Sequence, residues 1–423
     1  MKMEQLIQYV WKHKLFPLQE LRTTAGQAVE VIDPGLCNTH AGPDFFNAKV
    51  KVDGTLWVGN VEVHARASDW YRHGHDKDKA YDSVILHVAE TVDAEVFRPD
   101  GEAIPQLQLA CPERIRHHFD ELSQSDRYPR CKAVVRLLPR LMLHSWMSAL
   151  QTERLGQKME QVKKRLAACN GNWEDAFFVT LARNFGFGLN GDAFEAWAEQ
   201  VPFRAVDKHR DSLLQIEAFF FGQAGLLEED IDDGYYRRLQ KEFDFLRHKF
   251  DLRVMDASRW KFLRSRPGNF PHVRIAQLAF LYYQERWLLS RVTEAETVKQ
   301  VKDVLRSRVS EYWETHYHFY NASPWRTKSL SEFSLNLLII NTVVTFLYAY
   351  GHFKGDERMC ERAAAFLEEL KPEDNYITRM WAQVGLKAEN AADSQALIQL
   401  KKEYCDLKKC LHCRIGYEYL KRV

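Results

Sequence analysis

The chain has 423 residues, of which 46% are hydrophobic and 28% are charged. That length is sufficient for two or three domains, and the composition is that of a globular protein rather than a disordered chain. The formal net charge is only +1, which excludes attraction of nucleic acid by the overall field of the protein. A nucleic-acid partner would therefore need a local basic surface.

The N-terminal segment is predicted to be an amphipathic helix, because apolar residues recur at helical spacing from Met3 to Trp11. The apolar core of a signal peptide does not follow its charged residues. The most apolar run, residues 335–350, is shorter than a membrane-spanning helix and predicts a buried helix. We therefore expect no membrane association. Eight cysteines without a signal peptide indicate a reducing cytoplasm.

Strand patterns follow this helix. Residues 27–35 alternate in polarity and end at Pro-Gly, and residues 45–52 and 56–65 flank an Asp-Gly turn. Residues 83–90 form a nearly continuous apolar run, which is typical of a central strand. Residues 94–110 predict a further hairpin around Asp-Gly.

Helical patterns dominate the rest of the chain, beginning with a long periodic segment at residues 142–168 that carries (i, i+4) charge pairs. The predicted fold class is α+β. Residues 1–111 form a small α/β domain with a mixed sheet, and residues 112–423 form a larger all-helical domain that ends in a basic, cysteine-containing tail.

Two carboxylates and an imidazole lie at the ends of one predicted hairpin, "GPDFFNAKVKVDGTLWVGNVEVH" (residues 42–64). Because side chains alternate along a strand, Glu62 and His64 point to one face. Asp44 and Glu62 on adjacent strands suit Mg²⁺ or Mn²⁺, which prefer oxygen ligands. The pattern predicts a metal site. The alternative is structural, with Asp44 beginning a turn, Glu62 solvated and His64 ending a strand.

The register of this hairpin decides whether Asp44 reaches Glu62. A regular two-residue turn would place Phe45 opposite Glu62. Either a bulged three-residue turn at residues 52–54 or a bulge nearer Pro43 would instead set Asp44 opposite Glu62. The predicted site therefore depends on one of these two irregularities.

The dipeptide Pro43-Asp44 and the tripeptide Glu62-Val63-His64 make this hairpin resemble the nuclease superfamily named for its PD…(D/E)xK motif, with His in the place of Lys. The resemblance implies that Asp44 and Glu62 bind the metal and that Val63 contributes its carbonyl. It also implies that His64 stands in for the lysine that orients or activates water. A neutral imidazole lacks the fixed charge of an ammonium group, which leaves the activity open.

More imidazoles and carboxylates follow the hairpin. Some exonuclease-like members of the superfamily carry Gln and Tyr three residues apart on the next helix, and Asp78 and Tyr81 have that spacing here. The alternative is that Asp78 caps a helix. For His87 the alternative is a core histidine whose ring nitrogens are hydrogen-bonded within the protein. His73 and His75 either contact metal or phosphate or belong to a polar loop.

The three C-terminal cysteines Cys405, Cys410 and Cys413 have spacing that suits zinc or an iron–sulfur cluster. Such a site needs a fourth ligand. The candidates are Cys131, Cys360 and His412. This tail is similar to that of superfamily nucleases that hold an iron–sulfur cluster with three C-terminal cysteines and one distant cysteine. The alternative is three reduced cysteines on a terminal helix, where lysines form a basic surface.

The segment "RSRPGNFPHVR" (residues 264–274) places several arginines near a proline-rich turn. Capping or ion pairing is the commoner role of arginine at helix ends, and phosphate binding is the alternative. Together with residues 42–90 and "CLHCRIG", this segment makes nearly the whole chain resemble an uncharacterised bacterial family known as a domain of unknown function. That resemblance implies a cytoplasmic bacterial protein and supplies no activity.

The sequence favours a metal-dependent, nuclease-like phosphodiesterase that acts on nucleic acid. One alternative is a non-catalytic nucleic-acid or protein-binding module that retains a nuclease-like fold, which is favoured if Asp44 and Glu62 do not share a face. The other is a His-rich metallohydrolase of small phosphorylated molecules.

Overall fold

The structure is a computed structural model, and its chain divides into two compact units. One unit comprises Met1–Pro139 and Lys402–Val423 and holds the sheet, and the other comprises Arg140–Lys401 and is helical. The fold class is α+β, as predicted, with a mixed sheet in the N-terminal region and a larger helical part. The described parts of the chain are residues 2–16, 20–38, 40–124 and 128–422.

The compact units do not end where the sequence placed the domain boundary. Residues 112–139 and the cysteine-containing tail belong to the unit that holds the sheet. Arg422 of the tail donates to the Glu121 carboxylate at 2.6 Å, and the Tyr419 hydroxyl donates to the same carboxylate at 3.0 Å. These contacts hold the end of the chain on the first helix that follows the sheet.

Within the described residues the sheet has seven strands in the order β1-β2-β4-β5-β6-β7, with β3 paired to β4. The strands are β1 (Leu21–Arg22), β2 (Ala28–Asp33), β3 (Leu36–Cys37), β4 (Phe45–Val52), β5 (Thr55–Arg66), β6 (Val84–Thr91) and β7 (Gln106–Gln108). The pairs β5–β6 and β6–β7 are parallel and the others are antiparallel. The hairpin predicted at residues 94–110 forms only in its central part: Phe97 pairs antiparallel with Ala103, and the Ile104 amide donates to the Val96 carbonyl at 3.0 Å. Beyond this part the chain leaves the hairpin, because β7 pairs in parallel with β6.

Helices make up most of the remaining described chain. In chain order they are α1 (Lys2–Lys12), α2 (Asp69–Arg72), α3 (Glu113–Gln124), α4 (Lys132–Val135), α5 (Arg140–Ala168), α6 (Trp173–Phe185), α7 (Gly191–Ala198), α8 (Phe203–Asp207), α9 (Leu213–Gln223), α10 (Gly234–Phe250), α11 (Pro271–Gln284), α12 (Leu288–Glu294), α13 (Val298–Leu305), α14 (Glu311–Thr315), α15 (Glu332–Leu338), α16 (Val344–Lys354), α17 (Glu357–Glu369), α18 (Tyr376–Gln383), α19 (Ala391–Gln399) and α20 (Arg414–Lys421).

Helix α1 covers the sheet beside β5. Its apolar residues from Leu6 to Trp11 are buried, as are Val61 and Val63 of β5 and Val88 of β6. The nearly continuous apolar sequence of β6 agrees with its position between two parallel neighbours, where both faces are covered. This packing places the polar residues of α1 and of the β4–β5 hairpin near each other.

The apolar run predicted as a buried helix lies in the helical segment Glu332–Lys354. By length and composition this is the one helix of the described chain that is long and apolar enough to cross a membrane. However, 67% of its most apolar window is buried inside the protein, and Leu338, Ile339 and Phe346 belong to the core of the helical unit. The segment therefore packs as a core helix.

Candidate metal centre

The β4–β5 hairpin closes through a two-residue turn, residues 53–54, in which both φ angles are positive, 47° and 78°. This is the geometry of a type I′ hairpin turn. The strand pairing then shifts by one residue between Phe45 and Ala48, so that Phe45 faces Val61. Asn47, with φ of 55°, lies at this shift. The three-residue turn is therefore wrong, and a bulge within β4 changes the register instead.

This register brings the two predicted carboxylates together. The Asp44 amide donates to Glu62 Oε2 at 2.9 Å, and the Val63 amide donates to Asp44 Oδ2 at 3.1 Å. Two residues of α1 join them: Gln8 hydrogen-bonds the Asp44 side chain, and Glu4 acts electrostatically on both carboxyls. Gln8 was missed in the sequence, where its only indication was its position one turn after Glu4.

The predicted histidines lie around Glu62. Glu62 Oε1 lies 3.5 Å from His64 Nε2 and 3.3 Å from His75 Nε2. His64 Nε2 lies 3.2 Å from His73 Nδ1, and His64 Nδ1 lies 2.8 Å from His87 Nε2. One nitrogen from each of His64, His73 and His75 lies within 4.8 Å of the other two, which is close enough for one metal ion to bind all three.

Burial shifts the pKa values of Asp44, Glu62, His64, His75 and His87 in the direction that favours the neutral form of each group. It raises the pKa of Asp44 to about 7, with the Glu62 charge adding to the effect, and raises that of Glu62 to about 8. It lowers the pKa of His64 to about 2, to which the neighbouring imidazoles contribute, and that of His87 to about 3. Neutral imidazoles beside carboxyls that lack a counter-charge form a donor set that fits a divalent cation.

The remaining predicted residues lie at the edge of the cluster. The Tyr81 ring stacks on His75 with centroids 3.8 Å apart. Asp78 accepts a hydrogen bond from the Ala80 amide at 2.9 Å, so it caps a short 3₁₀ helix, which is the structural alternative considered for it. His73 is exposed and connects the cluster to solvent. His87 is buried and hydrogen-bonded on one side only, since its Nδ1 has no partner among the described atoms.

The cysteine cluster consists of Cys131, Cys405, Cys410 and Cys413, which line one small cavity in the sheet-containing unit. Burial raises the pKa of the Cys131 thiol well above its usual range, and the other three thiols add to the effect. Of the three candidates for a fourth ligand, the structure brings Cys131 to this cavity. Cys360 instead donates to the Tyr348 carbonyl at 3.6 Å in the helical unit.

A glycine allows the cysteine cluster to form. A Cβ atom on Gly416 would lie 2.1 Å from the Cys410 carbonyl oxygen, so a larger residue would displace the cysteine loop. Gly416 lies in the first turns of α20, and its lack of a side chain lets the loop that carries Cys410 pack directly on this helix.

The fold and the site define an α+β protein in which a mixed sheet carries a largely buried carboxylate–histidine cluster. The chain belongs to the family described as "Protein of unknown function (DUF2851)", whose model matches residues 4–376. This confirms the predicted membership of an uncharacterised family and supplies no activity. The match includes the carboxylate–histidine cluster and Cys131 and ends before Cys405. No curated protein and no solved structure matches the chain.

Proposed function

We propose that the protein is a metal-dependent phosphodiesterase that acts on nucleic acid. The observation that carries the proposal is the convergence of Asp44, Glu62 and three histidines, with Glu62 Oε1 3.5 Å from His64 Nε2 and 3.3 Å from His75 Nε2. The shared face of Asp44 and Glu62 argues against the non-catalytic binding module. Separated carboxylates would have favoured that alternative.

Each residue of the cluster has a role in this proposal. Asp44 and Glu62 hold the metal, and the Val63 carbonyl is a further ligand, as the superfamily resemblance implies. The bound metal would polarise the phosphate and lower the pKa of a water molecule. His64, whose ring is oriented by His87 at 2.8 Å, accepts a hydrogen bond from the attacking water and so orients it.

The donor set bears on the choice of metal. Mg²⁺ is usually held by oxygen ligands and water, whereas Mn²⁺ also accepts imidazole nitrogen. With His64 assigned to the water, His73 and His75 remain as nitrogen ligands beside Glu62, and they favour Mn²⁺ over Mg²⁺. The same three histidines favour the second candidate function, a metallohydrolase of small phosphorylated molecules.

The test is cleavage of single- and double-stranded DNA and RNA, and of bis(p-nitrophenyl) phosphate, with Mg²⁺ or Mn²⁺. Glu62→Gln should abolish cleavage because it removes a charged ligand. Glu30→Gln, an exposed position in β2, is the matched control and should retain activity. Equal activity in wild type and Glu62→Gln, or no activity with any substrate, would contradict the proposal. Cleavage of the small diester alone would favour the second candidate.

We also propose that the cysteine cluster binds zinc or an iron–sulfur cluster in a reducing cytoplasm. Four thiolates complete the ligand set that either group requires. The support is that Cys131, distant in sequence, lines the same cavity as the three C-terminal cysteines. The bound group would fix the C-terminal segment to the segment before α4 and thereby stabilise this unit.

A further inference from the structure

A large basic cavity lies within the helical unit, with a volume of about 830 Å³. This is within the range of small-molecule sites, roughly 300–1,000 Å³. It is lined by the turn before α11, the loop after α6 and the segment before α15. Among the described residues its lining contains five cationic side chains and no carboxylate. The cations are Arg264, Arg266, Arg274, Arg326 and Lys328.

Arg274 is a buried charge held only by neutral groups. Its side chain is 6% exposed, and its Nη atoms donate to Gln277 Oε1 at 2.8 Å and to Asn269 Oδ1 at 2.5 Å. It lies over the Phe187 ring at 4.1 Å, and its Nε has no partner among the described atoms. Burial lowers its pKa to about 10, so it stays charged at neutral pH. An uncompensated buried charge is costly and attracts an anion.

Lys328, in the segment before α15, is likewise a buried cation held by neutral groups. It is 7% exposed, and its Nζ donates to the Trp313 and His316 carbonyls, each at 2.6 Å, beside the Tyr317 ring at 3.7 Å. Burial lowers its pKa to about 8, against the opposing effect of Glu314. Gln277 Nε2 donates to the Lys328 carbonyl at 2.8 Å, so the helix that carries Arg274 also positions Lys328.

None of the five cations forms an ion pair in the described part of the chain. The acidic residue nearest in sequence to Lys328, Glu332, pairs with Lys302 at 2.9 Å and Arg306 at 3.6 Å. Arg264 and Arg326 are exposed at the cavity. Ion pairing, the commoner role of arginine at such positions, therefore does not account for these side chains.

The lining also offers hydroxyl groups and an exposed aromatic ring. Phe333 is 58% exposed, and an exposed ring stacks on nucleobases. We propose that this cavity binds a nucleoside phosphate, with the phosphate on the basic residues and the base on Phe333. The hydroxyl donors come from Ser265, Thr327, Ser329, Ser331 and Ser334. The inference goes beyond the proposed phosphodiesterase, because the cavity lies in the other unit and requires no metal.

The test is calorimetric titration of the full-length protein with pyrophosphate, ATP and a 5′-phosphorylated oligothymidylate, without divalent metal. Thymidine and the unphosphorylated oligonucleotide serve as ligand controls. Phosphorylated ligands should bind at least about tenfold more tightly than these controls. Binding of ATP identifies a free nucleotide as the source, and binding of the 5′-phosphorylated oligonucleotide alone identifies a nucleic-acid end. Absence of binding by all the phosphorylated probes would overturn the inference.

Charge-reversal variants test whether the phosphorylated ligands bind in this cavity. Arg264→Glu combined with Arg326→Glu should weaken binding at least about tenfold, and exposed positions are expected to tolerate the change. Arg253→Glu combined with Arg308→Glu changes two exposed arginines of the same unit outside the cavity and should leave affinity unchanged. Equal losses in both pairs would overturn the inference. Glu62→Gln protein should bind like wild type, which separates this result from the fate of the proposed phosphodiesterase.

Discussion

The ionisation of Glu62 and Asp44 and that of the neighbouring histidines change the stability of the fold with pH in opposite directions. Without metal, the pKa of Glu62 is raised from 4.5 to about 8 and that of Asp44 from 3.8 to about 7, so the folded state binds more protons than the unfolded state between those values. Stability therefore falls as pH rises through this range. The histidines, whose folded pKa lies below 6.5, cause a loss of stability only as pH falls below 6.5.

We expect the metal-free protein to lose stability between pH 6.5 and pH 8, because Asp44 and Glu62 lose their protons there, as does the buried Glu217, whose pKa burial raises to about 7. The expected loss is about 1–2 kcal/mol. Glu62→Gln should reduce the dependence of stability on pH, because an amide does not ionise, and saturating Mn²⁺ should reduce it in wild type as well. The measurement is the urea midpoint at both pH values in the presence of a chelator. Glu30→Gln should keep the wild-type slope, and a slope unchanged in Glu62→Gln would disprove the assignment.

At the scale of the element, the bulge in β4 positions the metal site. Asn47 has φ of 55°, a conformation that asparagine and glycine adopt more readily than other residues. We expect Asn47→Val to destabilise the protein by about 1–2 kcal/mol and to weaken Mn²⁺ binding, because straightening the strand would move Asp44 away from Glu62.

Two substitutions control for this experiment. Asn47→Gly keeps the left-handed conformation and should retain both stability and Mn²⁺ affinity. Lys49→Val places the same side chain at an exposed position of β4 and should change stability by no more than about 0.5 kcal/mol. Thermal unfolding and Mn²⁺ titration are the measurements. Wild-type Mn²⁺ affinity in Asn47→Val would show that the bulge does not hold the site.

The sequence predicted the strands of this site better than it predicted their register and pairing. Alternation along β4 and β5 and the Asp-Gly turn were sufficient to place the hairpin, and the apolar run of β6 to place its neighbour. No sequence pattern indicated the bulge, because an asparagine in a strand can adopt positive φ but does not require it. The hairpin predicted at residues 94–110 is shorter than expected, because β7 pairs in parallel with β6, a contact that local alternation does not report.

At the scale of the whole molecule, periodicity identifies a helix but not the unit in which it packs. Helices α3 and α20 have ordinary amphipathic sequences, yet Arg422 and Glu121 at 2.6 Å join them within the sheet-containing unit. The sequence left the fourth ligand of the cysteine cluster undetermined for the same reason. Spacing grouped Cys405, Cys410 and Cys413, but only tertiary packing distinguishes Cys131 from Cys360.

The proposed zinc or iron–sulfur site therefore joins two distant segments of the chain, and its loss should affect folding. Cys131→Ser should lose most of the bound metal and lower the unfolding temperature, because the bound group closes a long loop of the unfolded chain. Cys360→Ser, in the helical unit, is the matched control and should retain the wild-type metal content and unfolding temperature. Elemental analysis and visible absorption of anaerobically purified protein measure the metal. Absence of zinc and iron from the wild type, or equal metal content in Cys131→Ser, would leave the four cysteines with a structural role alone.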